Sequence, residues 1–320
     1  MKATVVIPNY NGISYLKGCL DSLQAQTTRD FSVLVVDNGS TDGSYELIER
    51  YPEVNRIRFE ENRGFCGAVN AGIAAAGSEY VILLNNDTRV KERFVEKLIE
   101  AIEKDSGIFS VSAKMLDMNR PERVDDAGDL YCALGWAFAR GKGKPADGYT
   151  ACCSIFSACG GAAIYRKAVF DRIGMFDEKH FAYLEDLDIG YRARIYGYRN
   201  LYEPEAEALH AGSGFSGSRY NEFKVNLSSA NSVYVIGKNM PILQILINLP
   251  FLLAGFAVKT MFFSLKGLGV TYIKGLGRGL ACCFSKEGRS RHIRFKWKRL
   301  GNYFFIQLEL WWNILLRFIG

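Results

Sequence analysis

Through the first hundred residues, short apolar runs alternate with stretches whose apolar positions recur every three or four residues. Residues 3–7 form a β-branched run that ends at Pro8, and Leu16, Cys19, Leu20 and Leu23 then recur at helical spacing. Residues 31–36 read as a second strand ending in the polar turn Asp37-Asn38-Gly39-Ser40-Thr41-Asp42, where Ser40 or Thr41 is placed to cap a helix through Ile48. Residues 57–59 and 65–76 give a third strand and helix. Residues 80–84 form a fully apolar strand, and a helix is expected over 90–102 after Asn85-Asn86-Asp87-Thr88.

Strands alternating with helices predict an α/β fold, a mostly parallel Rossmann-like sheet with helices on both faces. Ligands of such sheets bind beyond the carboxyl ends of the strands. Three of these ends are polar: residues 9–11, 37–38 and 85–87. The usual phosphate cradles are missing. No G-x-G-x-x-G follows the first strand, no P-loop motif is present, and the first loop, Pro8-Asn9-Tyr10-Asn11-Gly12, is poor in glycine. A diphosphate would therefore call for a carboxylate-held metal.

Charge changes the picture in one place. Of 40 basic residues, eleven lie in residues 259–299 beside a single acid, Glu287, so the net charge of +6 belongs to one late segment. Its apolar neighbours favour anionic lipid over nucleic acid as the partner. The eight cysteines form no CxxC pair and no zinc-like spacing. With no apolar leader run before the first strand, the catalytic part is expected in a reducing cytoplasm.

Five strings, VVIPNYNG, VVDNGSTDGS, ENRGFCGAVNAG, LLNNDT and GMFDEKHFAYLEDLDIGYR, stand in order over residues 3–215. Together they resemble the family-2 glycosyltransferases of GT-A fold, and most closely the rhamnosyltransferase-like branch that builds bacterial surface polysaccharides. The resemblance implies inverting transfer of rhamnose or a hexose from a dTDP- or UDP-sugar donor to a glycan or lipid-linked acceptor. It also implies one cation, Mn2+ or Mg2+.

Carried over by position, Pro8, Tyr10 and Asn11 line the nucleoside pocket, and Asp37 accepts from the pyrimidine. Asn62 and Arg63, with Gly64 and Gly67, cover the base and diphosphate. Asn85-Asn86-Asp87 stands at the Asp-x-Asp metal motif with its first acid replaced by Asn. That leaves Asp87 as the main anion for the metal and Asn86 beside the nucleotide. Asp186 matches the catalytic base with Glu185 as its partner, His210 a second metal ligand, and Gly160-Gly161 the close approach of donor sugar and acceptor. Each has a plainer reading. Asp37, Asp87 and the Glu185-Asp186 pair could cap helices, Arg63 could be a surface charge, His210 structural, and the glycines mere packing.

The C-terminal third predicts a helical region. An apolar run of 17 residues, 242–258, is interrupted by Pro250, and a second run covers 303–319. Spanning takes about 20 residues, and a span would put the basic segment across the membrane from the catalytic part. Helices lying on the cytoplasmic face, peripheral or monotopic, fit better; a two-span hairpin and a buried helical subdomain remain as alternatives. The expected division is a catalytic domain, 1–225, and a membrane-associated region, 226–320. An inactive nucleotide-sugar-binding assembly partner and a nucleotidyltransferase are the competing functions.

Overall fold

The computed structural model describes residues 1–212 and 220–319; positions 213–215 of the resembling stretch lie outside them. Its first half follows the hydrophobic pattern: β1 (Ala3–Asn9), α1 (Ile13–Gln24), β2 (Phe31–Asp37), α2 (Ser44–Ile48), β3 (Val54–Arg58), α3 (Gly64–Ala75) and β4 (Tyr80–Leu84). Strands β3, β2, β1 and β4 pair in parallel in that spatial order. Successive side chains on β1 and β4 point to opposite faces, so Val5, Ile7, Ile82 and Leu84 join one core, and Val6, Val81 and Leu83 the other. Helix α1 buries Leu16, Cys19, Leu20 and Leu23 on the first face. Each buried leucine contributes about 1.5–3 kcal/mol by leaving water. Helix α3 buries Cys66, Val69 and Ile73 on the second face.

Two expectations near the strand ends are corrected. Helix α2 begins after Gly43, and neither Ser40 nor Thr41 caps it; Asp42 accepts from the Ser44 N–H at 3.0 Å instead, while Ser40 Oγ is taken up by Asn9 and Asn11. The helix expected from residue 90 begins later. Thr88–Val90 forms β5, and α4 runs Phe94–Glu103. Strand β5 pairs with the end of a distant strand, Arg199–His210, which overrides the local helical pattern. Asp87 therefore caps no helix.

The rest of the sheet is mixed: β6 (Ile108–Asp117), β7 (Arg120–Asp126), β10 (Cys153–Ile155), β11 (Ala162–Arg166) and β12 (Arg199–His210), with β8 (Asp129–Cys132) and β9 (Trp136–Ala139) as a separate hairpin. Antiparallel β11 joins β4 to β6, and β12 lies parallel to β6. Helices α5 (Lys167–Ile173) and α6 (Glu185–Ile195) close the second face. The fold is thus of the expected α/β class, parallel in its first half and mixed beyond it.

Five helices follow: α7 (Glu222–Asn239), α8 (Ile242–Leu265), α9 (Gly269–Phe284), α10 (Lys286–Arg291) and α11 (Leu300–Ile319). Helix α7 runs across the expected boundary at 225. Helix α8 continues through Pro250, contrary to the expected break. Two residues before the proline, Asn248 donates to Gln244 O and to Gln307 of α11 and accepts from Gln307 and Trp311, which ties the turn before Pro250 to α11. At 24 residues α8 is long and apolar enough to cross a membrane. One side of α8 and α11 shares a core with the catalytic part, where Leu252, Tyr303, Ile306 and Leu310 meet Tyr131, Phe156 and Tyr191. The other side, with Leu246, Leu253 and Met261 on α8 and Phe305, Trp312 and Phe318 on α11, is exposed. Apolar exposure on this scale is unusual for a surface that meets only water.

Candidate active site

Asn9, at the end of β1, organises the strand ends. Its buried amide donates to Asp37 Oδ1 at 3.0 Å, Ser44 Oγ at 2.9 Å and Ser40 Oγ at 3.2 Å, and its Oδ1 accepts from Asn86 Nδ2 at 2.7 Å. The contact explains Gly12, where an added Cβ would fall 2.0 Å from Asn86 Nδ2. Asn9 thus ties Asp37, at the end of β2, and Asn86, in the turn after β4, into one network. Asp37 is 0% exposed and also accepts from the Ser40 N–H, with Arg58 at 4.0 Å. Asn11 takes a left-handed φ of 50°, which lets its Oδ1 accept from Thr41 N. Pro8 and Tyr10 are half-buried beside it.

A second amide, Asn38, fixes the next loop. It donates to Asn62 Oδ1 at 2.9 Å and Gly64 O at 3.0 Å, and accepts from Arg63 N at 2.9 Å. The Arg63 side chain is exposed and stacks 4.4 Å over Phe59. Gly64 has φ +74°, and a Cβ there would strike Phe181 at 2.7 Å. Gly67 follows one turn into α3. A groove of about 720 Å³ runs from Arg63 and Gly67 along the outer face of α3 toward Asp177, Lys238 and Arg291. Phe59, next to the end of β3, lines it as well.

Asp87 and His210 come together as expected, His210 Nε2 lying 3.3 Å from Asp87 Oδ1. The other ring nitrogen, Nδ1, is 2.8 Å from Asp125 Oδ2, and Asp125 is also paired with Lys142 at 2.6 Å. Because a carboxylate only accepts, Nδ1–H donates to Asp125, and without a metal the protonated ring also turns Nε2–H toward Asp87; a cation would take the place of that Nε2 proton. Burial alone would lower this imidazole; the hydrogen bonds and charges of Asp125 and Asp87 outweigh it and push it up to about 9. A carboxylate oxygen and an imidazole nitrogen converging at this distance suit Mn2+ or a similar divalent ion. Asp125 was not singled out in the sequence. Its only signal was the acidic run Asp125-Asp126 followed by Asp129.

The Asp186 carboxylate stands on the same rim. Its Oδ1 accepts from the Leu187 N–H at 2.7 Å and its Oδ2 from the Gly160 N–H at 3.4 Å, while Gly161 O accepts from Asn85 N at 2.8 Å. Gly160 and Gly161 therefore bridge Asp186 to the Asn85–Asp87 turn. A Cβ on Gly160 would meet only Phe65 and Asp186, at 3.4 Å or more, so its protein neighbours do not demand glycine; on Gly161 it would press on Asn85 at 3.0 Å. Glu185 is 7% exposed with Oε2 unpaired, whereas Asp186 is half-buried and reachable. Burial, and then the charge of Asp186, push Glu185 well above the usual carboxylate range. Burial also raises Asp186, against the pull of the Leu187 and Gly160 N–H groups.

A carboxylate–imidazole pair at the turn after β4 and a half-buried carboxylate at the start of α6 are the kind of groups an α/β enzyme gathers beyond its strand ends. Residues 4–174 match the family described as Glycosyl transferase family 2, and the chain belongs to that family. The N-acetylglucosaminyl-diphospho-decaprenol L-rhamnosyltransferase of Mycobacterium tuberculosis is 28% identical over 234 residues, covering 64% of this chain and 75% of that protein. Residues 1–349 of TarS from S. aureus superpose with a TM-score of 0.59 at 18% identity, over 91% of this chain and 83% of that one. The mannosyltransferase PcManGT from Pyrobaculum calidifontis, solved with GDP-Man and Mn2+, gives 0.55 at 19%, over 97% and 84%. At these identities the two structures speak for the shared GT-A fold.

Proposed function

We propose that this chain moves rhamnose or a hexose from a dTDP- or UDP-sugar to a hydroxyl of a cell-surface glycan or lipid-linked acceptor, with inversion. The observation that carries this reading is the reachable Asp186 carboxylate, joined through Gly160-Gly161 to the turn bearing Asp87. The nearest support for the substrate class is the rhamnosyltransferase named above, whose own acceptor is a diphospho-decaprenol lipid.

Asp186 takes the proton from the acceptor hydroxyl as its oxygen bonds to the anomeric carbon. The bond from that carbon to the diphosphate breaks, and the electron pair leaves with the nucleoside diphosphate. Asp87 and His210 would hold a divalent cation, with Asp125 keeping His210 in the metal-binding tautomer. When bound, that ion supplies positive charge against the diphosphate leaving group. Asn86, Tyr10, Pro8, Asn11, Asn62, Arg63 and Gly67 surround the nucleotide. Asp37 acts through the Asn9 network at its base. Thermal melting against a set of nucleotide sugars, with and without Mn2+, tests the donor class. A dTDP- or UDP-sugar is expected to raise Tm most, and only with metal; no shift with any nucleotide sugar contradicts the reading.

The second part of the proposal is attachment to the cytoplasmic face of an anionic membrane. It is supported by the exposed apolar side of α8 and α11 and by the basic residues of 259–299 beside it. The full chain is expected to sediment with vesicles containing phosphatidylglycerol and to bind phosphatidylcholine vesicles less. Equal indifference to both overturns the attachment.

A further inference from the structure

The segment leading into Glu185-Asp186 is strained. Phe181, Tyr183 and Leu184 have φ of 59°, 70° and 65°, a left-handed backbone that non-glycine residues rarely adopt. Such a conformation persists only where the surroundings over-determine it. One side chain outside the catalytic half does much of that. Asn231, in the middle of α7 and 3% exposed, directs its amide at three backbone carbonyls of the loop. It donates to His180 O at 3.0 Å, Ala182 O at 2.9 Å and Tyr183 O at 2.8 Å. An amide has two hydrogens, so one of them is shared.

The same helix grips both flanks of the loop. Lys238 Nζ donates to Asp177 Oδ2 at 2.7 Å and to Asp188 Oδ2 at 2.8 Å, and Asn239 donates to Asp188 Oδ1 at 2.8 Å. Asp177 precedes the loop, and Asp188 follows Asp186 by two residues on α6. Arg192 completes the buried set at 2.9 Å from Asp188. Helix α9 in turn lies tightly on α7 beside Asn231. A Cβ on Gly275 would come 1.8 Å from Ser229 Oγ, and one on Gly279 2.2 Å from Ala230 O.

We propose that Asn231 is a positioning residue for Asp186. Helix α7, latched on α9, holds loop 180–184 in the strained form that sets the carboxylate against the acceptor hydroxyl. The C-terminal helices are then part of the catalytic unit and more than an anchor. The inference rests on the assignment of Asp186 as base, and its test separates the two.

Full-length Asn231→Ala and Asn231→Gln are compared with the wild type by amide hydrogen exchange, turnover and calorimetry of nucleoside diphosphate binding. In Asn231→Ala, exchange over residues 180–187 is expected to quicken at least tenfold while β1–β4 stay protected. Its kcat is expected to fall about 10–100-fold, with nucleotide affinity within threefold of wild type. Asn231→Gln keeps both donors on a longer arm and should recover part of each effect; if the Ala variant does not fold, the Gln variant must still move exchange and kcat. Unchanged exchange over 180–187 overturns the proposal whether or not a donor is turned over. So does faster exchange with unaltered kcat, or a loss of nucleotide affinity that matches the loss of kcat. If Asp186→Asn keeps its kcat while Asn231→Ala shows the expected exchange and kcat changes, the loop latch stands and the base assignment fails.

Discussion

Asp186→Asn is expected to lower kcat by about 10²–10⁴, the usual contribution of a positioned base, while leaving donor affinity within a few fold. The asparagine keeps the size of the side chain and an oxygen that can accept from the Leu187 and Gly160 N–H groups. What it lacks is a carboxylate able to take the acceptor proton. Glu185→Gln should cost less, because Glu185 is buried whereas Asp186 is half-buried. The pH profile carries a second signature. A base works ionised, so activity is lost as pH falls through its pKa. Burial places the Asp186 pKa above the ordinary carboxylate value, and the acidic limb of kcat/KM should lie correspondingly higher than for an exposed aspartate. Near-normal kcat in Asp186→Asn, with a defect confined to donor binding, would make Asp186 a structural acid.

Asp87→Ala is the second large effect. It removes the one acid of the Asn85-Asn86-Asp87 turn and leaves His210 paired only with Asp125. Turnover should fall to background, and the part of donor affinity that depends on Mn2+ should vanish. The remaining donors cannot replace a carboxylate facing a diphosphate. Asp125→Asn is the milder companion. The amide leaves His210 free to adopt the wrong tautomer, so Mn2+ affinity, followed by paramagnetic resonance without substrate, should weaken by about 10–100-fold. Full turnover of the wild type in excess chelator would sink the metal assignment.

The parallel half of the sheet was legible because its pattern is local. The apolar run of β4 ends where the strand ends, and the recurring Leu16, Cys19, Leu20 and Leu23 of α1 all face the core. Where a distant partner decides, the pattern misled. Residues 88–90 look like the start of α4, yet they pair with β12 more than a hundred residues later. Pro250 reads as a break, yet α8 runs through it, with Asn248 just before it held to Gln307, 59 residues away.

The site divides along the same line. Asp87, His210, Glu185 and Asp186 could be named from residue type and family resemblance. Asp125 and Asn231 could not, since each acts by reaching a segment remote in sequence, 85 residues away for Asp125–His210 and 48 to 51 for Asn231. Asn231 left one faint trace, an asparagine inside a helix it does not favour. Asp37 shows the opposite limit. Its position at the end of β2 was plain, but its burial beneath Asn9 is a tertiary fact.

The most direct test of glycosyl transfer is product analysis by nuclear magnetic resonance. The full chain is supplied with the donor that best raises its Tm, Mn2+ and a lipid-linked acceptor. One nucleoside diphosphate is expected for each glycosidic bond formed, with the anomeric configuration opposite to that of the donor. Release of pyrophosphate, or binding of the donor with neither transfer nor hydrolysis, would contradict it.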